Sequence, residues 1–367
     1  MERVLIIRTS SLGDILHGLP VAAALKKAYP WIHLAWMVEE RYQDLLAACS
    51  CVDERIRVNL RGWPRTLLDP GKRRSLLLLG RLARRRSFDL AIDLQGLMRS
   101  GLLSFCTRAP VRIGFPGQEA REWPNACFSN VRPGRIPARS HVIDRNLALL
   151  HPLGVRTHER TFPLEILPAW EDEVLSFLGP RVSGNRKPLR VVIHPAAGWP
   201  SKEWSPGSYA QLGDRIVGRW KSQVFLLWGP GEKQLAEKVR GSMRRDARLV
   251  PDLDLKGLMA LLKNCDLCVG GDSGPIHLAS SLGTQVVGLY GPSDPVRNGP
   301  PGSGARIVRG PSTCAPCWKR RCRNVRCMRS ITVDDVWAQV EGAVEGMRLE
   351  GTGPSAPPAG VGQGSPS

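Results

Sequence analysis

At 367 residues the chain is too long for one compact domain and fits two, taking roughly 100 to 200 residues for each. Its 42% hydrophobic and 23% charged residues match ordinary folded proteins and exclude a chain disordered throughout. Fifty-two Lys and Arg against 33 Asp and Glu give a net charge of +19, which calls for an anionic partner: phosphate groups, nucleic acid or an anionic membrane face.

Residues 4–8 are a β-branched apolar run, read as a buried strand because Arg8 interrupts it and no leader-type cleavage pattern follows. No apolar stretch approaches the roughly 18 residues of a membrane-spanning helix, so a cytoplasmic protein is expected. The turn Ser10-Ser11-Leu12-Gly13-Asp14 comes next, and residues 15–28 then carry apolar side chains at helical spacing. Short apolar runs recur at 34–38, 56–58, 90–94 and 111–115, with helical candidates between several of them. This rhythm predicts a parallel sheet with right-handed crossovers.

Around 163–188 a Pro-, Gly- and Arg-containing stretch with one short helix reads as a linker. A second α/β series follows, with strands at 191–194, 224–228, 267–269 and 286–290 and helices near 209–219, 232–244, 255–263 and 275–282. The expected organisation is an N-terminal domain over 1–170, a linker over 171–188, a C-terminal domain over 189–350 and a disordered tail over 351–367. Tandem domains of this type place ligands in the cleft between them, at the carboxyl ends of strands.

Three strand-to-loop junctions carry reactive residue types. After the first strand, Gly13 permits a tight turn or close ligand approach, and Asp14 stands at a helix start on the carboxyl edge of the sheet. Asp14 either caps that helix or acts as a general base that takes a hydroxyl proton. VGGDSGPIHLA at 269–279 reads as strand, glycine turn and helix, with Pro275 in the first turn. Its backbone N–H groups from Ser273 onward, with the helix dipole, suit a diphosphate; the alternative is an ordinary strand-to-helix turn. His277 is either a donor to phosphate or sugar or a packed structural histidine. The segment is neither a P-loop nor a GxGxxG fingerprint, which argues against ATPase and NAD chemistry. In HPAAGWPSKEW at 194–204, Lys202 is a point charge that can neutralise a phosphate leaving group, against the default of a solvated lysine. Asp252-Leu253-Asp254 has the form of a metal-binding pair, but its place before a helix favours capping.

TSSLGD at 9–14, IDLQGLMRSG at 92–101, QEAREW at 118–123, SKEW at 201–204, GDSGPIHLA at 271–279 and YGPSDP at 290–295 resemble, in order, the lipopolysaccharide heptosyltransferases. The likeness runs over roughly residues 1–345. It implies the α/β GT-B fold, two Rossmann-like domains with parallel sheets facing across a cleft, acceptor bound mainly by the first and nucleotide sugar by the second. It also implies inverting, metal-independent transfer of L-glycero-D-manno-heptose from ADP-heptose to a Kdo residue of the lipopolysaccharide inner core, with no cofactor required. TSSLGD and QEARE look more like heptosyltransferase I than heptosyltransferase II; the latter, or a related enzyme with another donor or acceptor, is the alternative.

Carried over by position, the resemblance makes Asp14 the general base and Lys202 the phosphate-contacting lysine. It puts Asp272, Ser273, Gly274 and His277 in the donor motif and Glu232 against the ADP portion, with Ser10, Ser11, Gly13 and Arg121 on the acceptor side. Ala196 and Ala197 stand where the family commonly has hydroxylated residues, so a backbone N–H has to replace that phosphate contact.

Ten cysteines are too sparse for a disulfide scaffold. Cys314, Cys317, Cys322 and Cys327 crowd a basic stretch, a set suited to structural zinc or an iron–sulfur cluster, with loop-stabilising or free thiols the alternative. Cys49, Cys51, Cys106, Cys127, Cys265 and Cys268 read as core. Basic residues gather at Arg61, Arg65, Lys72, Arg73, Arg74, Arg81, Arg84, Arg85 and Arg86, and again at Lys319, Arg320, Arg321, Arg323, Arg326 and Arg329. No RNP motif or basic recognition helix accompanies them, so nucleic acid is not an expected partner. ADP-heptose, a Kdo-lipid A acceptor and the anionic inner face of the inner membrane are, with peripheral association at that surface.

Overall fold

A computed structural model describes residues 1–59, 86–181 and 188–350. The tail at 351–367 and the basic residues from Arg61 to Arg85 lie outside the described residues.

Strands β1 (Arg3–Ile7), β2 (His33–Glu39), β3 (Glu54–Val58), β4 (Leu90–Asp93) and β5 (Val111–Ile113) form an all-parallel sheet of order β3-β2-β1-β4-β5. Strands β6 (Arg190–His194), β7 (Gln223–Leu226), β8 (Arg248–Leu249), β9 (Leu267–Gly271), β10 (Gln285–Tyr290) and β11 (Ala305–Arg309) form a second, of order β11-β10-β9-β6-β7-β8, also parallel. Helices cover both faces, which is why β1, β6 and β9 read as unbroken apolar runs and not as alternating ones. In both sheets the chain winds outward on one side and then crosses to the other, so strand order reverses between β1 and β4 and between β6 and β9. Those reversals open a crevice at the strand carboxyl ends. The turn carrying Asp14, the loop carrying Lys202 and the turn carrying Asp272 follow β1, β6 and β9 in that order, so all three junctions sit at such crevices.

Several local expectations are corrected. The single helix read over 15–28 is two, α1 (Leu12–Leu16) and α2 (Leu19–Ala28). Gly18 caps the second and Pro20 lies in its first turn, where a proline breaks continuity with the preceding helix. Edge strands β8 and β11 escaped detection because the first has two residues and the second, ARIVR, buries only Val308. Cys49, Cys265 and Cys268 are buried as expected, whereas Cys51 and Cys106 are half-buried and Cys127 is exposed on the Trp123–Phe128 turn.

Helix α3 (Pro168–Leu178) packs on α5 (Leu255–Lys263) of the second sheet's layer, and Asn264 Nδ2 donates to Glu171 Oε1 at 2.7 Å. Between β7 and β8 lies α4 (Lys233–Ser242), and α6 (Gly274–Ser281) follows β9. One apolar cluster runs from Val4, Ile6 and Trp36 through Leu147 and Leu150 to Met259, Ile276 and Val286, so the two sheets share a continuous core. Each fully buried Leu or Ile in it contributes about 1.5 to 3 kcal/mol relative to exposure. Among the described residues no helix is long and apolar enough to cross a membrane.

Candidate active site

The N-terminal half of the site is built around Asp14. Its Oδ1 lies 2.7 Å from Arg8 Nη2 and its Oδ2 3.5 Å from Arg121 Nη1. Ser11 N–H also donates to Oδ2, at 3.2 Å, closing a capping box at the start of α1. Both carboxylate oxygens are thus engaged, Oδ1 by Arg8 and Oδ2 by Ser11 and Arg121, and the side chain keeps 24% of its surface accessible. Burial raises the Asp14 carboxyl, but Arg8, then Arg121, and the Ser11 N–H hold it well below the usual carboxylate range. Arg8 is itself buried and donates to Leu94 O, while Trp36 Nε1 donates to Arg8 O at 3.0 Å. Arg8 and Trp36 thus fix the orientation of Asp14 from behind.

The loop from Thr9 to Gly13 is held by the IDLQGLMRSG segment. Thr9 N and Oγ1 both donate to Gln95 Oε1, at 2.8 and 2.9 Å, and Arg99 Nη2 lies 3.4 Å from Ser10 Oγ. Asp93 beneath it accepts from Ser100 Oγ at 2.8 Å and Asn125 Nδ2 at 2.7 Å. Among the acceptor-side candidates Arg121 and Ser11 are exposed, the Arg121 side chain being 54% accessible.

In the C-terminal half, Asp272 is 5% exposed and bridges a lysine and a histidine. Its Oδ2 lies 2.6 Å from Lys202 Nζ and its Oδ1 3.0 Å from His277 Nε2. Burial raises this carboxyl too, but His277 and Lys202 together draw it well below the ordinary value. Lys202 is consequently not a solvated lysine: its Nζ also sits 4.2 Å from the Trp199 ring centroid. Ser273 is the N-cap of α6 and makes no side-chain hydrogen bond to the first turn, whose backbone N–H groups are of the kind an anion can take.

A second chain of polar contacts was missed by sequence reasoning. His194, the last residue of β6, places Nδ1 3.1 Å from Ser273 Oγ and Nε2 3.2 Å from Glu232 Oε2. Gly229 N–H donates to the same Glu232 oxygen at 2.9 Å. Burial raises the Glu232 carboxyl and the His194 contact, the larger of the opposing effects, lowers it. Two of the donor-motif candidates, 41 residues apart, are thereby wired together through a histidine whose only signal was its place at a strand's carboxyl end.

The two halves meet. α1 packs on α6, and a Cβ on Gly274 would stand 3.0 Å from Leu12 Cδ2. The His17 and His277 rings are edge to face at 4.7 Å, with His141 5.6 Å from His17 on the other side. His141 Nε2 bonds Gly299 O at 3.0 Å across the same seam. His277 is therefore packed and spends its Nε2 on Asp272, the structural one of the two readings open to it.

Asp254 accepts from Gly257 N–H at 2.8 Å and caps α5, as its position before a helix indicated. Of the four clustered cysteines, Cys314 and Cys322 are exposed, Cys317 is half-buried and Cys327 is buried, its thiol raised by burial and by Cys314 and Cys317 nearby. Among the described residues no group of three or more His, Cys, Asp or Glu side chains is placed to hold a metal ion.

Two parallel α/β sheets, with α1 after the first strand of one packed on α6 of the other, make up the GT-B fold of a class of glycosyltransferases. The chain belongs to glycosyltransferase family 9 (heptosyltransferase), whose pattern it matches over residues 77–327. It is 29% identical over 323 residues to lipopolysaccharide heptosyltransferase 1 of Pseudomonas aeruginosa, covering 87% of each chain. Among solved structures it is similar to the family 9 glycosyl transferase of Veillonella parvula, with TM-score 0.76 and 22% identity over 95% of this chain and 97% of that one. The Escherichia coli heptosyltransferase WaaC with ADP gives TM-score 0.75 and 24% identity over 93% and 99%.

Proposed function

We propose that the protein transfers L-glycero-D-manno-heptose from ADP-heptose to a Kdo residue of the lipopolysaccharide inner core, with inversion and without a divalent metal, as a heptosyltransferase I. The observation that carries the reading is the packing of α1, which holds Asp14, on α6, which follows the Lys202–Asp272 pair. The acceptor hydroxyl oxygen attacks the anomeric carbon from the face opposite ADP, and the bond to the diphosphate oxygen breaks. As the new C–O bond forms, the attacking oxygen becomes strongly acidic, so its proton passes to Asp14 although that carboxylate is a weak base. The negative charge growing on the diphosphate meets Lys202 and the first-turn N–H groups from Ser273 onward, the task a divalent ion performs elsewhere.

Glu232 and His194 hold the nucleotide side, and Ser10, Ser11, Gly13 and Arg121 the acceptor side. The exposed basic residues Lys319, Arg320, Arg321 and Arg323 supply attraction to an anionic cytoplasmic membrane face, at about 1 kcal/mol per near-surface cation.

Incubating the protein with ADP-heptose and Kdo-lipid A and following ADP release tests the reading. Turnover is expected with chelator present, and Asp14→Asn is expected to lower kcat by at least about a hundredfold while ADP still binds. Full activity of that variant overturns the base assignment, and no turnover with either Kdo or heptosyl acceptors overturns the substrate class.

A further inference from the structure

The cysteine-rich segment and its cations are not used by the chemistry above, yet the segment folds back onto the catalytic loop. Ser201 Oγ donates to Lys319 O at 2.6 Å, and Cys317 and Trp318 N–H both donate to Pro292 O, at 3.0 and 2.9 Å. These bonds set the Trp318 ring edge to face with Trp199 at 6.4 Å. Arg320 lies over Trp199 at 5.5 Å and Arg297 over Trp318 at 5.5 Å. Neither arginine has a carboxylate within ion-pair distance among the described residues, although Arg121, Arg145, Asp14 and Asp294 all act on Arg297 through space. Trp199 in turn contacts Lys202, so the four side chains extend from the leaving-group lysine toward the base.

We propose that Trp199, Trp318, Arg297 and Arg320 form a recognition platform, contributed by the C-terminal domain, for a carboxylate-bearing pyranose of the acceptor. An indole face accepts the C–H face of a sugar ring and excludes water from it, and an arginine fork pairs with a carboxylate. Arginines held against indole rings are partly ordered before an anion arrives, so its capture costs less side-chain entropy. A protein of net charge +19 with two arginines that lack carboxylate partners among the described residues is matched to an anionic sugar and not to a neutral one. The identity of that sugar as acceptor rests on the glycosyltransferase reading; the platform itself is tested separately.

Binding of free Kdo, Kdo methyl ester and mannose 6-phosphate is measured by ligand-observed NMR for the wild-type protein, Trp318→Ala, Arg297→Ala and Arg320→Ala, with melting temperature and ADP affinity as controls. Kdo is expected to bind the wild type at least about tenfold more tightly than its ester, and each variant to lose most of that difference while ADP affinity stays within about twofold. Tighter binding of mannose 6-phosphate than of Kdo, equal Kdo binding by wild type and Trp318→Ala, or a parallel loss of ADP affinity overturns the proposal. In turnover assays with Kdo-lipid A the variants are expected to raise the acceptor KM and leave that for ADP-heptose unchanged. If the wild type turns over neither acceptor, the transfer reading fails while the NMR result still decides the platform.

Discussion

Gly13 of the N-terminal domain lies directly under the ring of His277 of the C-terminal domain, where an added Cβ would stand 3.2 Å from His277 Cδ2. The imidazole has nowhere to go: Asp272 holds one side at 3.0 Å and the His17 ring blocks another at 4.7 Å. Gly13→Ala is expected to push the seam open, costing about 1 to 3 kcal/mol as overpacking does. The expected readout is a kcat at least about tenfold lower with ADP affinity preserved. Wild-type kcat in this variant shows that the seam tolerates a methyl group.

Asp272→Asn removes the charge that Lys202 and His277 share in a nearly dry site. Leaving one partner of a buried pair uncompensated costs about 3 to 5 kcal/mol. A urea titration is expected to show a lower midpoint with an unchanged slope, and ADP release is expected to slow by about two orders of magnitude or more.

His194→Gln tests the relay between Ser273 and Glu232. Each lost hydrogen bond is worth about 1 kcal/mol net, so ADP affinity is expected to fall about tenfold or more. If the histidine acts by orienting Ser273, then Ser273→Ala in the His194→Gln background adds less than it does alone. Full additivity in a calorimetric titration rules the relay out.

Burial pushes His141 down to about 4, and burial with the neighbouring histidines holds His17 well below its ordinary value too. Unfolded histidines bind protons near 6.5, so below that pH the unfolded chain takes up protons that the folded chain refuses. Stability from these groups is complete above about pH 6.5 and is lost as pH falls toward 4, with a slope of about 1.4 kcal/mol per pH unit for each histidine. Asp14 and Asp272, held below their ordinary values, lose their contribution only at still lower pH. Urea melts at pH 7, 6 and 5 are expected to show the decline, with a shallower slope in His141→Gln.

What the sequence made legible was local. A β-branched run, a glycine turn and a helix-period segment within 28 residues placed Asp14, and the same logic placed Asp272 beyond β9. The contacts that define the environment of those carboxylates are not local. Lys202 and Asp272 are 70 residues apart, and His17 meets residues from both domains, so only tertiary packing reveals them. His194 was passed over because a histidine ending an apolar run gives no sign of which polar groups will face it. The reading of Cys127 as core failed for a similar reason: composition marks cysteine as apolar, while the Trp123–Phe128 turn turns that side chain outward.

The paired approaches of Gly13 to His277 and Leu12 to Gly274 also bear on chimeras between relatives. A graft that exchanges the C-terminal domain for one of another donor preference inherits a new helix start, but the surface receiving it belongs to the resident TSSLGD loop. The exchangeable unit is therefore the second domain together with residues 9–17 of the first. A cut made between the two sheets alone separates two surfaces that are shaped to each other.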